Sequence, residues 1–187
     1  MSKLIVDEIY GRKEGNHVVA VPSETTVYFP GHVIQTVWRR FENHVTYNAY
    51  NDNAREIAGL NLEIKLKKAT SAVYLKWYIF YEAHHDITFQ VLRDSTIVGY
   101  NLDAGLQRWS GIGSAEYEHS HDQSSTPSYQ LLAYMDQPGT TGPFTYKLGV
   151  RSSTSTNYDF RINRAWSSFS DSYEAGVSWV IAEEIAT

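Results

Sequence analysis

From His32 to the end of the chain, apolar residues return at every second position in short runs, and helical spacing is nearly absent. Period two is the repeat of a strand with one face buried. Leu60, Leu62, Ile64 and Leu66 fall on one side, with Asn61, Glu63 and Lys65 on the other. Phe144, Tyr146, Leu148 and Val150 alternate in the same way with Thr145, Lys147, Gly149 and Arg151. The run from Val73 to Tyr81 is apolar on both sides: Val73, Leu75, Trp77, Ile79 and Tyr81 share one face, and Tyr74, Tyr78 and Phe80 the other. Such a strand belongs in the middle of a sandwich or at a subunit interface.

The remaining runs complete the pattern. His32 to Arg39, Tyr129 to Met135, Tyr158 to Ile162 and Gly176 to Ile185 read as strands. Thr88 to Arg93 and Thr96 to Tyr100 flank Asp94-Ser95, a two-residue hairpin turn, and Pro138-Gly139 suits a type II turn. Only Asn53 to Ala58 offers a single helical turn. Eight or nine strands therefore follow residue 30, with one long polar excursion between Asn101 and Pro127. The expectation is an all-β chain: a jelly-roll-like antiparallel β-sandwich over residues 30–187.

Residues 1–29 differ. Leu4, Ile5, Val6 and Ile9 make one short apolar strand, and Val18 to Val21 a second, ended by Pro22. Two short strands bury no core alone. They read as an extended attachment arm lying on a partner chain, or as an edge hairpin of the main domain.

Composition narrows the function. The 187 residues suit one domain with a real core. No cysteine is present, so neither a disulfide framework nor a thiolate zinc site is available. A net charge of −5 argues against a nucleic-acid binder that works by neutralising phosphates. No run is long enough to enter a membrane, and Leu4-Ile5-Val6 is too short for a signal peptide, so synthesis in a host cytoplasm is expected. The 14 tyrosines favour strands and half-wet interfaces.

The chemistry-bearing residues are sparse. His119 and His121 would point the same way on a strand and form an imidazole pair, but they sit beside Gln123-Ser124-Ser125, where a solvated loop is the plainer reading. His84 and His85 are adjacent, so their side chains diverge on a strand. No serine sits in a Gly-x-Ser-x-Gly elbow, and the adjacent Glu183 and Glu184 diverge too, which removes glycosidase geometry. No catalytic residue, metal site or cofactor is therefore expected, and the chain is read as a non-enzyme. Trp109 and Tyr117, with His119 and His121, place rigid rings in a long Gly- and Ser-containing excursion suited to ligand or receptor contact.

Several segments, in order, resemble a known family. Pro30-Gly31-His32-Val33-Ile34-Gln35 is similar to the opening of the C-terminal domain of many phage tail-fibre and virion proteins, including those of cyanophages. Ala58-Gly59-Leu60-Asn61-Leu62-Glu63-Ile64 resembles that family's second strand. Asp136-Gln137-Pro138-Gly139-Thr140-Thr141 and Tyr146-Lys147-Leu148-Gly149-Val150-Arg151 resemble its late hairpin. Ile162-Asn163-Arg164 and the closing Glu184-Ile185-Ala186 complete the likeness, and Met1 to Ile9 is similar to the start of small phage proteins. The segment from Gly99 to Ser128 departs from the pattern, being longer and richer in Trp, Tyr and His.

The resemblance implies a trimeric jelly roll shaped like the tumour-necrosis-factor and complement heads, residing in a virion. It implies a homotrimer, for which the second apolar face of the Val73 to Tyr81 strand supplies Tyr74, Tyr78 and Phe80 as candidate interface residues. Other virion proteins would be met through the arm, and a host-surface glycan through the excursion. A tail-fibre or fibre-tip role competes with a head or tail decoration protein that contacts no host. A carbohydrate-binding module outside any virion is a third class.

Overall fold

The computed structural model describes residues 29–50, 53–83, 85, 87–99, 110–115, 127–152, 156–166 and 174–187. The attachment-arm residues Leu4, Ile5, Val6 and Ile9 lie outside the described residues, as do Trp109, Tyr117, His119 and His121.

The described chain is all-β, with two antiparallel sheets forming a sandwich. Its strands are β1 (Val33–Phe41), β2 (Val45–Ala49), β3 (Arg55–Glu56), β4 (Leu62–Ile64), β5 (Ala72–Glu82), β6 (Ile87–Arg93), β7 (Thr96–Gly99), β8 (Gly113–Ser114), β9 (Ser128–Asp136), β10 (Phe144–Ser152), β11 (Tyr158–Ile162) and β12 (Ser178–Ile185). Two differences from the sequence reading stand out. The expected helical turn at Asn53–Ala58 is instead strand β3 followed by a 3-10 turn at Ala58–Leu60, because β3 finds a ladder partner in β10. The excursion from Asn101 to Pro127 is not one loop: β8 returns to pair with Thr88 and Phe89 of β6.

Many segments are halves of longer strands. β1 ends opposite Ser178 and β2 begins opposite Ile162, so both run along the β12–β11 line. β12 and β11 share one edge of β5, and β9 holds the other over nine paired positions. In the second sheet, β3 and β4 flank β10, β10 flanks β6, and β7 and β8 share the far edge of β6. Joining the halves leaves eight strand positions. Numbered along the chain, they lie in the order 1-8-3-6 in one sheet and 2-7-4-5 in the other. That is the strand order of a jelly roll.

Alternation sets the core. Val73, Leu75, Trp77, Ile79 and Tyr81 of β5 are buried against Phe89 and Val91 of β6 and Tyr146, Leu148 and Val150 of β10. Tyr81, Phe89 and Phe160 form an aromatic triangle with centroids 5.4–5.7 Å apart. Their edge-on and tilted packing suits the ring quadrupoles. Asp94 takes φ +56° and Gly139 φ +72°, the left-handed conformations that their turns require.

Buried polar groups tie the layers together. Asp136 of β9 accepts from Arg93 Nη1 at 2.7 Å and from the Tyr146 hydroxyl at 2.6 Å, across the two sheets. Burial opposes the Arg93 charge, but the Asp136 carboxylate outweighs it and holds the guanidinium charged. The Tyr146 hydroxyl is pushed well above its ordinary value of 10, first by burial and then by its bond to Asp136. A raised tyrosine favours the neutral ring in the fold, so its stabilisation is full below about pH 10 and falls as pH rises further. Each such group removes up to about 1.4 kcal/mol per pH unit above the unfolded value. Denaturant midpoints measured from pH 9 to 11.5 should therefore fall, with a shallower slope in Tyr146→Phe. An unchanged slope in that variant would show that Tyr146 is not the group responsible.

Candidate functional site

Strand β5 is flanked on both edges, so its two sets of side chains have different fates. The odd-numbered set faces the core, while Tyr74, Lys76, Tyr78 and Phe80 point outward. Register extends that outer face sideways. Tyr78 lies opposite Trp179 of β12 and Leu131 of β9, Tyr74 lies opposite Glu183 and Met135, and Ile181 lies opposite Trp38 of β1. The result is a run of large apolar side chains across four neighbouring strands, one side of a sandwich whose other side is already packed.

The face is well exposed along β9: Tyr129 is 56% exposed, Leu131 53% and Met135 50%. Tyr78 and Tyr129 have ring centroids 6.5 Å apart. The Tyr129 hydroxyl is pushed up from its ordinary value, first by burial and then by the neighbouring Tyr78. Lys76 crosses the middle of the face, paired with Glu183 at 2.9 Å and 4.9 Å from the Tyr74 ring centroid. Three strand spacings wide and nine residues long, the face covers roughly 15 Å by 30 Å. Patches of a few hundred Å² on a soluble protein are where partners dock.

The structure brings the three sequence-derived interface residues onto one strand face but does not make them equivalent. Tyr74 and Tyr78 sit among the exposed residues of β9 and β12. Phe80 packs beneath Gly176 of its own chain, so closely that a Cβ on Gly176 would fall 2.2 Å from the ring. Sequence reading missed Tyr129, Leu131, Met135, Trp38 and Trp179 as members of this face, although the alternation in Tyr129–Met135 was visible. Strand neighbours are set by pairing, which one strand does not record.

Polar candidates resolve into structural roles. Glu183 and Glu184 do diverge: Glu183 meets Lys76 outside, while the fully buried Glu184 accepts from the main-chain N–H groups of Lys67 and Lys68 and from Gln35 Nε2. Glu184 thereby pins the connection after β4 to the last strand. His85 stacks on Tyr158 at 4.0 Å. Among the described residues no three histidine or carboxylate side chains group together as metal ligands, and no helix is long and apolar enough to cross a membrane.

The chain matches no known family model and no curated protein. Among solved structures, it is similar over 96% of its length to a chain of the infectious bursal disease virus Gt strain structure, at 8% identity and a TM-score of 0.42. The Gx strain structure overlaps 91% of the chain at 8% identity and a TM-score of 0.35. The tripod (BppUct-A-L) from the baseplate of bacteriophage Tuc2009 aligns over all of the chain at 12% identity and a TM-score of 0.16, covering 83% of the tripod chain. The chain spans less than half the length of the two bursal-disease-virus chains, 47% and 41%. These superpositions are too loose to carry an argument about this chain, whose fold stands on its own strand order.

Proposed function

We propose that this chain is a structural component of a phage virion, a homotrimeric tail-fibre or fibre-tip protein that touches the host surface. The observation that supports it best is the outer face around Tyr78: a jelly roll with a packed interior leaves Tyr74, Tyr78, Tyr129, Leu131 and Met135 facing outward together. Closed rotational symmetry is the usual way for identical chains to cover such a face, and the phage-protein resemblance suggests a threefold axis. The order of the phage-like segments supplies the virion context. On this reading residues 1–29, with Leu4, Ile5, Val6 and Ile9, attach the trimer to another virion protein, and the region around Trp109, Tyr117, His119 and His121 meets the host.

Light scattering at micromolar concentration should give three times the 21.3 kDa chain mass. A monomer would overturn the trimer. Removing residues 1–29 should leave a folded trimer that no longer joins the particle; loss of folding would make the arm an integral strand. Immunogold labelling of intact particles should decorate the fibre tips, whereas label spread over the head would establish the decoration role instead.

A further inference from the structure

A second feature lies three strands away from β9, where the edge strands β1 and β4 of the two sheets meet. Gln35 Nε2 donates to Lys65 O at 2.7 Å and Arg39 Nη1 donates to Asn61 O at 3.0 Å, stitching β1 to the main chain around β4. Outside this seam lies an open cleft of about 400 Å³ lined by Trp38, Arg39, Asn61, Leu62, Glu63 and Thr145. We infer that this cleft binds a hexopyranose unit of a polysaccharide, with Trp38 as its stacking platform.

Trp38 is 63% exposed, although it sits in the middle of a nine-residue strand. An indole left that open on a sheet offers a flat apolar surface with one donor at its rim, which matches the C–H face of a sugar ring bordered by hydroxyls. Apart from Leu62, the remaining walls are polar. Arg39 spends one nitrogen on Asn61 O and keeps further donors, Glu63 is an exposed carboxylate that only accepts, and Thr145 adds a hydroxyl. Both main-chain groups of Thr145 are occupied by Asp94, so the side chain is what it presents. The cleft-lining Asn61 carries a buried Oδ1 that no donor satisfies among the described residues.

The lining selects among ligands. Leu62, itself buried, is the one aliphatic wall, so a peptide side chain or acyl chain gains little. Glu63 and the net charge of −5 repel phosphate backbones. The volume falls within the range of small-ligand sites, which combine an apolar floor with a few directed polar groups. The proposal rests on the host-contact reading only for where the sugar comes from.

The test uses the full-length protein on a printed array of O-polysaccharides, capsular polysaccharides and plain hexose oligosaccharides, followed by calorimetric titration of whichever binds. Binding is expected, weakened at least tenfold in Trp38→Ala and several-fold in Glu63→Gln, with melting temperature unchanged in both and trimer mass unchanged in Glu63→Gln. Which polysaccharide class binds identifies the source. An array with no bound glycan, or binding that survives Trp38→Ala, overturns the proposal. So does a Trp38→Ala protein that loses its trimer but keeps its glycan. A monomeric wild type that still binds through Trp38 would sink the trimer and leave the cleft standing. Trp38→Tyr keeps a ring and should retain part of the affinity, which separates stacking from a folding defect.

Discussion

Asn163→Ala should lower the unfolding free energy by about 3–5 kcal/mol, because several buried partners lose their bonds at once. Asn163 is fully buried between β11 and β12, where one long strand line is interrupted. Its Nδ2 donates to Phe41 O at 2.8 Å and Asn43 O at 3.1 Å, and its Oδ1 accepts from the Ser178 hydroxyl at 2.6 Å. Ser178 Oγ in turn accepts from Phe80 N at 3.1 Å. One amide thus ties β5, the β1–β2 bend and the start of β12. The residue also holds φ +62°, which Asn tolerates better than most side chains. Asn163→Gly separates the two contributions: glycine accepts the backbone angle but makes none of the side-chain bonds. Most of the loss should persist in Asn163→Gly, readable as a fall in melting temperature of about 10 °C for a chain of this size. Recovery in the glycine variant would mean that the backbone angle, and not the network, matters.

If the proposed trimer forms through the outer face, Tyr78→Asp and Leu131→Asp should give monomers while leaving the fold. Leu131 is half exposed in the isolated protomer, so a charge there costs the protomer about 0.5 kcal/mol or less. Buried between subunits, the same charge has no partner and costs several kcal/mol, about tenfold in affinity for each 1.4 kcal/mol. Tyr78 is half-buried beside Trp179, so its variant should lose a little stability as well. Sedimentation or light scattering gives the mass, and circular dichroism shows whether the sheets remain. A trimer of unchanged affinity carrying Leu131→Asp would place the interface elsewhere on the molecule. In the isolated protomer the partly exposed Lys76–Glu183 pair is a weak contributor by comparison, since surface ion pairs are worth about 0–1 kcal/mol.

Sequence alone determined the inside-outside pattern of this protein. The core sides of β4 and β10 follow from alternation, and the turns at Asp94 and Gly139 from residues that accept positive φ. The divergence of Glu183 and Glu184 followed too. These are local properties: side-chain direction repeats every two residues whatever the strand pairs with. Tertiary structure decided the rest. Short segments such as β3 and β8 carry no periodic signal and are strands only because β10 and β6 supply their ladders. Asn163 was visible only as part of a resemblance; its role depends on carbonyls about 120 residues earlier in the chain. The outer face draws on β1, β5, β9 and β12, and the Trp38 cleft on β1, β4 and β10. Both are products of strand order, which arises from contacts between distant parts of the chain and leaves no mark in the alternation of any one strand.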